Sequence, residues 1–286
     1  MTRSNALGDY LRARRELVDP ASVGLRVTGV RRTPGLRREE VATLAGISAD
    51  YYLRLEQGRD RNPSAQVLES LARVLGLEEA ARDYLLSLSI ARPRRARPRQ
   101  ELVPAGIRQL LAALDLPAFV ESRRFDVLAA NPLATALDPT IRTGENRLLS
   151  MFLDQGVRDL HPDWRRSIGV MVASFRASIG ADPDELAEPR VTELVGRLSL
   201  ESEEFRQLWA RHDVRPVSGA PVRMNHPEVG PLELRREKLP IGDSDGQVLA
   251  IFHVEPGTQS ARALDRLREL AFRPEQNQRD RADVGG

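Results

Sequence analysis

The chain has 286 residues and no cysteine, a length that favours two domains and a composition that rules out disulfide frameworks, Cys-ligated zinc, iron–sulfur clusters and thiol nucleophiles. Its net charge of +2 is a cancellation: 19 arginines face 12 acidic residues in positions 1–100 (+7), and 24 basic face 29 acidic residues after that (−5). A basic head on an acidic body is what a protein shows when only its front half meets a polyanion.

In chain order, Leu7, Tyr10, Leu11 and Arg14 make a first helical stripe, followed by an irregular Gly- and Arg-rich insert from Val18 to Gly35. Two short helices are predicted within Arg38–Gln57, another through Val67, Leu68, Leu71 and Leu75, and a last through Leu85, Leu86 and Leu88. Gly58 and Gly76 follow periodic segments as helix-ending glycines do. The head is therefore residues 1–89, with about five helices. Residues 90–101 hold two prolines and a run of arginines, which forbid a helix and offer nothing to bury, so they read as a linker.

Residues 102–272 change pattern. A helix is predicted over Leu102–Leu114, then strands over Pro117–Glu121 and Phe125–Ala130, then helical stripes through Leu148, Leu149, Phe152 and Leu153 and through Trp164, Ile168, Met171, Val172 and Phe175. Three more strands are expected at Ala220–Met224, Leu232–Leu239 and Val248–Val254. Strands at both ends with helices between predict an α+β domain. The polar stretch 273–286 reads as a disordered tail. With no run of eighteen apolar residues and no apolar core behind the first five residues, neither a membrane span nor a secretory signal is indicated, and a cytoplasmic location is expected.

Arg38–Gln57 has what a helix-turn-helix requires. Ala42 is the small residue where two helices touch, and Gly46 sits in the turn, where a positive φ is needed. Val41, Ala45, Ile47, Tyr52 and Leu55 fall at inward positions, and Ser48 can cap the second helix. Ala49, Asp50, Leu53, Arg54 and Gln57 then point away from the core, on the face that enters a major groove.

The phrases Gly35–Ala42, Ala45–Ser48, Tyr51–Arg59 and Pro63-Ser64 resemble the Xre, or lambda-repressor-like, class of helix-turn-helix proteins. With the long insert before the motif and the downstream phrase Leu208–Val214, the chain more narrowly resembles MmyB-type regulators over about residues 6–270. The resemblance implies a transcriptional regulator: an all-α, five-helix lambda-repressor-like head followed by an α+β, PAS-like ligand-binding domain. It also raises a fatty acid-like or other small apolar effector, and implies no metal.

By position on the motif, Arg54 can donate two bonds to guanine, Ala49 can touch a thymine methyl and Asp50 can accept from cytosine N4. The alternative for Asp50 and Arg54 is that they pair with each other along the helix. Arg37, Arg38, Tyr51, Arg59, Arg61 and Asn62 flank the reading face and are expected on phosphates, with Arg31 and Arg32 further candidates. Where many lambda-repressor-like proteins place a Gln, this chain has Arg38, which points to a phosphate role. The partner implied is a double-stranded operator, read by a homodimer through half-sites one helical turn apart.

For the second domain, no H-E-x-x-H spacing and no Gly-rich phosphate loop occurs, and no catalytic residues are assigned. Phe119, Leu128, Phe152, Trp164, Phe175 and Trp209 are candidates to line an apolar pocket, with Asn131, Arg211 and His212 as its polar groups. Plain core packing accounts for the same stripes, and recognition of a protein partner is the alternative to a small ligand.

Overall fold

The computed structural model describes residues 5–25, 35–60, 62–89, 101–180, 188–215 and 219–272. Nearly all of the expected linker, the tail from residue 273, and Arg31, Arg32 and Arg61 lie outside the described residues. In chain order the elements are α1 (Ala6–Leu17), a short 3₁₀ turn (Pro20–Val23), α2 (Arg38–Ala45), α3 (Ala49–Glu56), α4 (Ala65–Val74), α5 (Glu79–Ser87) and α6 (Ala105–Ala113). Strands β1 (Ala118–Glu121) and β2 (Val127–Ala130) precede α7 (Pro132–Leu137), α8 (Arg147–Leu153), α9 (Gln155–Leu160), α10 (Trp164–Ile179), α11 (Pro189–Glu201) and α12 (Glu203–Ala210). Strands β3 (Ala220–His226), β4 (Gly230–Pro240) and β5 (Val248–His253) lead to the last helix, α13 (Gln259–Ala271).

These elements form two compact units, each made of two stretches of chain: Met1–Arg97 with Ile168–Val217, and Pro98–Ser167 with Ser218–Gly286. In the first, α1 packs on α3, α2 on α3 and α4, and α4 on α5. Tyr10, Leu11, Leu36, Val41, Tyr52 and Leu55 are buried in its core, and burying each large side chain contributes roughly 1.5–3 kcal/mol. Gly46 at φ 71° ends α2, its N–H reaching the carbonyls of Ala42 and Thr43, and two residues later the Ser48 hydroxyl accepts the Tyr51 N–H at 3.1 Å to start α3. At Gly8 a Cβ would lie 2.3 Å from the Glu56 carbonyl oxygen, so only glycine lets α1 lie this close to the end of α3. In the same unit Val191, Leu194, Leu198 and Phe205 are buried on α11 and α12, and Arg14 of α1 pairs with Asp213 at 2.5 Å.

The second unit is built on a five-stranded antiparallel sheet in the order β2-β1-β5-β4-β3. Phe119, Leu232, Leu234 and Phe252 share a core with residues of α7 and α13, while Ala118, Val120 and Leu249 share another with Val103 and Leu111 beside α6. A register shift between Val120 and Glu121 leaves Leu128 without a pairing partner on β1. The fold class is the one the sequence leads to: a helical head, then an α+β region with an antiparallel sheet. The first helix of that region starts later than its apolar pattern suggests, after Pro104, whose ring disfavours a helical backbone at the preceding Val103.

Candidate nucleic-acid interface

Helix α3 has two unlike sides. Tyr52, Leu55 and Glu56 are buried, and Ala49, Asp50, Arg54 and Gln57 are exposed, the separation that a 3.6-residue period produces. Arg54 Nη1 donates to the Asp50 carboxylate one turn earlier, and its guanidinium lies 5.6 Å from the Tyr51 ring centroid. The i,i+4 pairing that the sequence leaves open is thus present in the free head. Tyr51 is half-buried, and burial, with Asp60 nearby, pushes its hydroxyl above the ordinary range. Arg37, Arg59 and Asn62 are exposed around this face.

Arg38 is more constrained than its position suggests. Its Nε donates to Glu56 Oε2 at 2.6 Å, while Arg15 Nε donates to Glu56 Oε1 at 2.7 Å and Arg15 Nη1 to the Leu36 carbonyl at 2.8 Å. Glu56 is wholly buried, whereas 43% of the Arg38 side chain is exposed, which leaves it able to face a polyanion. Burial works to raise the Glu56 carboxyl, but the guanidinium groups of Arg15 and Arg38 outweigh it and hold the group below the usual carboxylate range. Glu56 is not among the residues that the sequence singles out. The available signal is that it follows buried Tyr52 by four residues, which places an acid on the inward face.

A family model of the MmyB-like transcription regulator ligand binding domain matches residues 103–267, and one of a helix-turn-helix domain matches residues 6–85. The chain belongs to the MmyB-like transcription regulators. It is a DNA-binding transcription regulator, and the families it matches are regulatory and not enzymatic. A search among curated proteins finds no match to it. Among the described residues no helix is long and apolar enough to cross a membrane, and no cluster of three or more His, Asp or Glu is placed to hold a metal.

The residues expected to line one pocket in this regulator are divided between its two units. Phe119, Leu128, Asn131, Phe152 and Trp164 belong to the sheet unit, and Phe175, Trp209, Arg211 and His212 to the helical one. The stripe along α10 is continuous in sequence, yet the division between the units falls within it, between Ser167 and Ile168. Within the sheet unit, Phe119 stacks on Phe252 at 6.3 Å while Leu128 packs on the opposite core, so these two do not meet. Asn131 is not free for a ligand: its Oδ1 accepts from Ala118 N and Ala134 N at 3.1 and 3.0 Å, and its Nδ2 donates to the Leu116 carbonyl at 2.7 Å. Trp164 donates to the Met151 carbonyl at 2.7 Å, with Arg158 over its ring at 3.8 Å and Phe152 against its edge at 6.4 Å.

In the helical unit, Phe175 is wholly buried with its ring 5.8 Å from Trp209, and Arg211 is exposed and paired with Asp213 at 3.0 Å. Trp209 and His212 do share a cavity: with Arg176 and Tyr84 they line a cleft of about 410 Å³, within the range of small-molecule sites. His212 has φ 53°, and its ring meets the edge of Tyr10 at 6.2 Å. Burial, with Arg176 and Arg14 nearby, pushes it down to about 3, so it is neutral at physiological pH.

The sheet unit also buries charge. Arg147 pairs with Asp138 at 2.7 Å, and Lys238 with Glu121. Burial, with Arg147 close by, drives His161 down to about 4.

Proposed function

We propose that the protein is a sequence-specific regulator that binds a double-stranded operator as a homodimer, with α3 in the major groove, and that answers to a small apolar molecule taken up by its ligand-binding region. The observation that carries this reading is the exposed edge of Ala49, Asp50 and Arg54, on a helix whose other side is locked into the core. Arg54 reads guanine, Asp50 accepts from cytosine and Ala49 meets a thymine methyl. Arg37, Arg38, Tyr51, Arg59, Arg61 and Asn62 set register on phosphates. In the free head Asp50 holds Arg54, and both are released to bases on binding.

The domain assignment that goes with this reading is a head at 1–89, a linker at 90–101 and a PAS-like ligand-binding domain at 102–272. The PAS-like reading is supported by the antiparallel order β2-β1-β5-β4-β3, with helices inserted between β2 and β3. Selection of bound fragments from genomic DNA, followed by gel retardation across a salt series, tests the proposal. An enriched palindrome with half-sites one turn apart is expected, and Arg59→Ala should flatten the salt slope by about one. Failure to retard any duplex at low ionic strength would sink it.

A further inference from the structure

Arg38 is fixed at both ends of its side chain and open along one edge. At its root, it is the first residue of α2, and the Glu40 carboxylate accepts the Arg37 N–H at 2.7 Å to cap that turn. At its tip, Nε donates to Glu56 Oε2 at 2.6 Å, while among the described residues Nη1 and Nη2 make no hydrogen bond. A guanidinium is a flat fork, and a bond at Nε leaves the two terminal nitrogens side by side, the edge that takes two phosphate oxygens at once.

The group that holds Nε is itself immobile. Glu56 is the last residue of α3 and has no exposed side-chain surface. Arg15 of α1 donates to its other carboxylate oxygen at 2.7 Å, and Asn5, which caps α1, donates to its carbonyl at 2.7 Å. Burial opposes ionisation of the carboxyl, yet the two guanidinium groups hold it below its usual range, so it stays charged. Because Arg15 shares that carboxylate, Glu56 does not cancel the charge of Arg38, which is left for a polyanion. An untethered arginine gives up side-chain freedom when it docks, whereas one held in this way has given it up on folding.

We propose that Glu56 is a positioning residue for DNA binding: by holding Arg38 at Nε, it aims the paired Nη groups at a backbone phosphate, at a fixed offset from the base-reading edge of α3. The proposal rests on the reading of Arg38 as a phosphate contact, and names the group that makes that contact rigid. Register and readout are thereby joined, because the carboxylate that orients the phosphate contact belongs to the helix that reads bases.

Gel retardation of the full chain, on the duplex it selects from genomic DNA and on an unrelated duplex, tests this as a double-mutant cycle of Arg38→Met and Glu56→Gln. Arg38→Met should weaken both complexes alike and flatten the salt slope by about one. The amide in Glu56→Gln has a single oxygen to accept with, which buried Arg15 keeps, so Arg38 is let go with its charge intact. Loss of the carboxylate's charge acts on DNA in both backgrounds and cancels in the cycle. Glu56→Gln should therefore be worse for affinity by about threefold or more with Arg38 present than in the Arg38→Met background, the cost of immobilising one long side chain. The parent protein carries a second readout, which decides the matter should Glu56→Gln not fold. In nitrogen NMR the Arg38 Nε–H, identified by its absence from Arg38→Met, should persist when duplex is added, while the Arg38 Nη protons slow and separate. Equal effects of Glu56→Gln in the two backgrounds, an unchanged salt slope in Arg38→Met, or loss of the Nε–H signal on duplex would each overturn the assignment. A parent that retards no duplex fails the DNA reading itself; a parent that binds without coupling in the cycle fails only the role of Glu56.

Discussion

Glu56 and Arg176 are buried charges in the same helical unit, satisfied to very different degrees. Glu56 receives a guanidinium on each carboxylate oxygen, so its burial is fully answered from within the chain. Arg176 has a backbone carbonyl, a phenol and an indole face for company, with one N–H unbonded. A closed ionic set fixes the position of the reading helix. An open one leaves a buried cation without an ion pair of its own.

The most direct way to break this contrast is at its closed end. Glu56→Ala strands the buried Arg15, while Arg38 can turn to water, and should lower the unfolding free energy by about 3–5 kcal/mol, read by chemical denaturation. A loss near zero would mean that the pairs are not formed in solution.

Next in size is a pH effect from His161, another buried base. Its pKa falls from 6.5 to about 4, so above pH 6.5 it is neutral in both states and its contribution is intact. As pH drops from 6.5 towards 4 only the unfolded chain takes the proton, and stability declines by about 2–3 kcal/mol. His212, pushed to about 3, acts in the same direction. Comparing denaturation at pH 7 and 4.5 should show the decline, and His161→Phe should reduce it.

Arg54 supplies an exposed charge to set against the two buried ones. Arg54→Ala should cost about 1–3 kcal/mol at one base position of the operator and relax specificity there. Equal loss on all sequences would place Arg54 on phosphate. The smallest effect is expected at the open end of the comparison: Arg176→Met removes a buried charge without an ion pair along with its bonds to Trp209 and Tyr84, so stability should stay within about 1 kcal/mol of the parent. A loss as large as that of Glu56→Ala would make Arg176 a structural ion like Glu56.

The helices of the head, all five strands and the α8 and α10 stripes are legible in residue order, because each rests on local chemistry, whereas α7, α9, α11, α12 and α13 are not among the expected elements. Gly46 and Ser48 mark the turn of the motif, and short apolar runs mark all five strands, with partial alternation in β4. The interior sites were not readable in the same way. Arg15 meets Glu56 across 41 positions and Arg14 meets Asp213 across 199, and no window of sequence contains such pairs. Apolar bulk marks the expected pocket residues, and core positions share it. Of that set, Trp209 and His212 lie on the cleft, but its most informative residue, Arg176, follows Phe175 in an apolar stripe and looks in sequence like an ordinary surface cation.

Asn131 has a further consequence, for motion. One amide side chain accepts the N–H that begins β1 and the N–H in the first turn of α7, and donates to the carbonyl of Leu116 just ahead of β1. None of these ends can fray alone without stranding the others. In hydrogen exchange the amides of Ala118 and Ala134 should therefore open as one event with a shared protection factor, and Asn131→Ala should uncouple them into two.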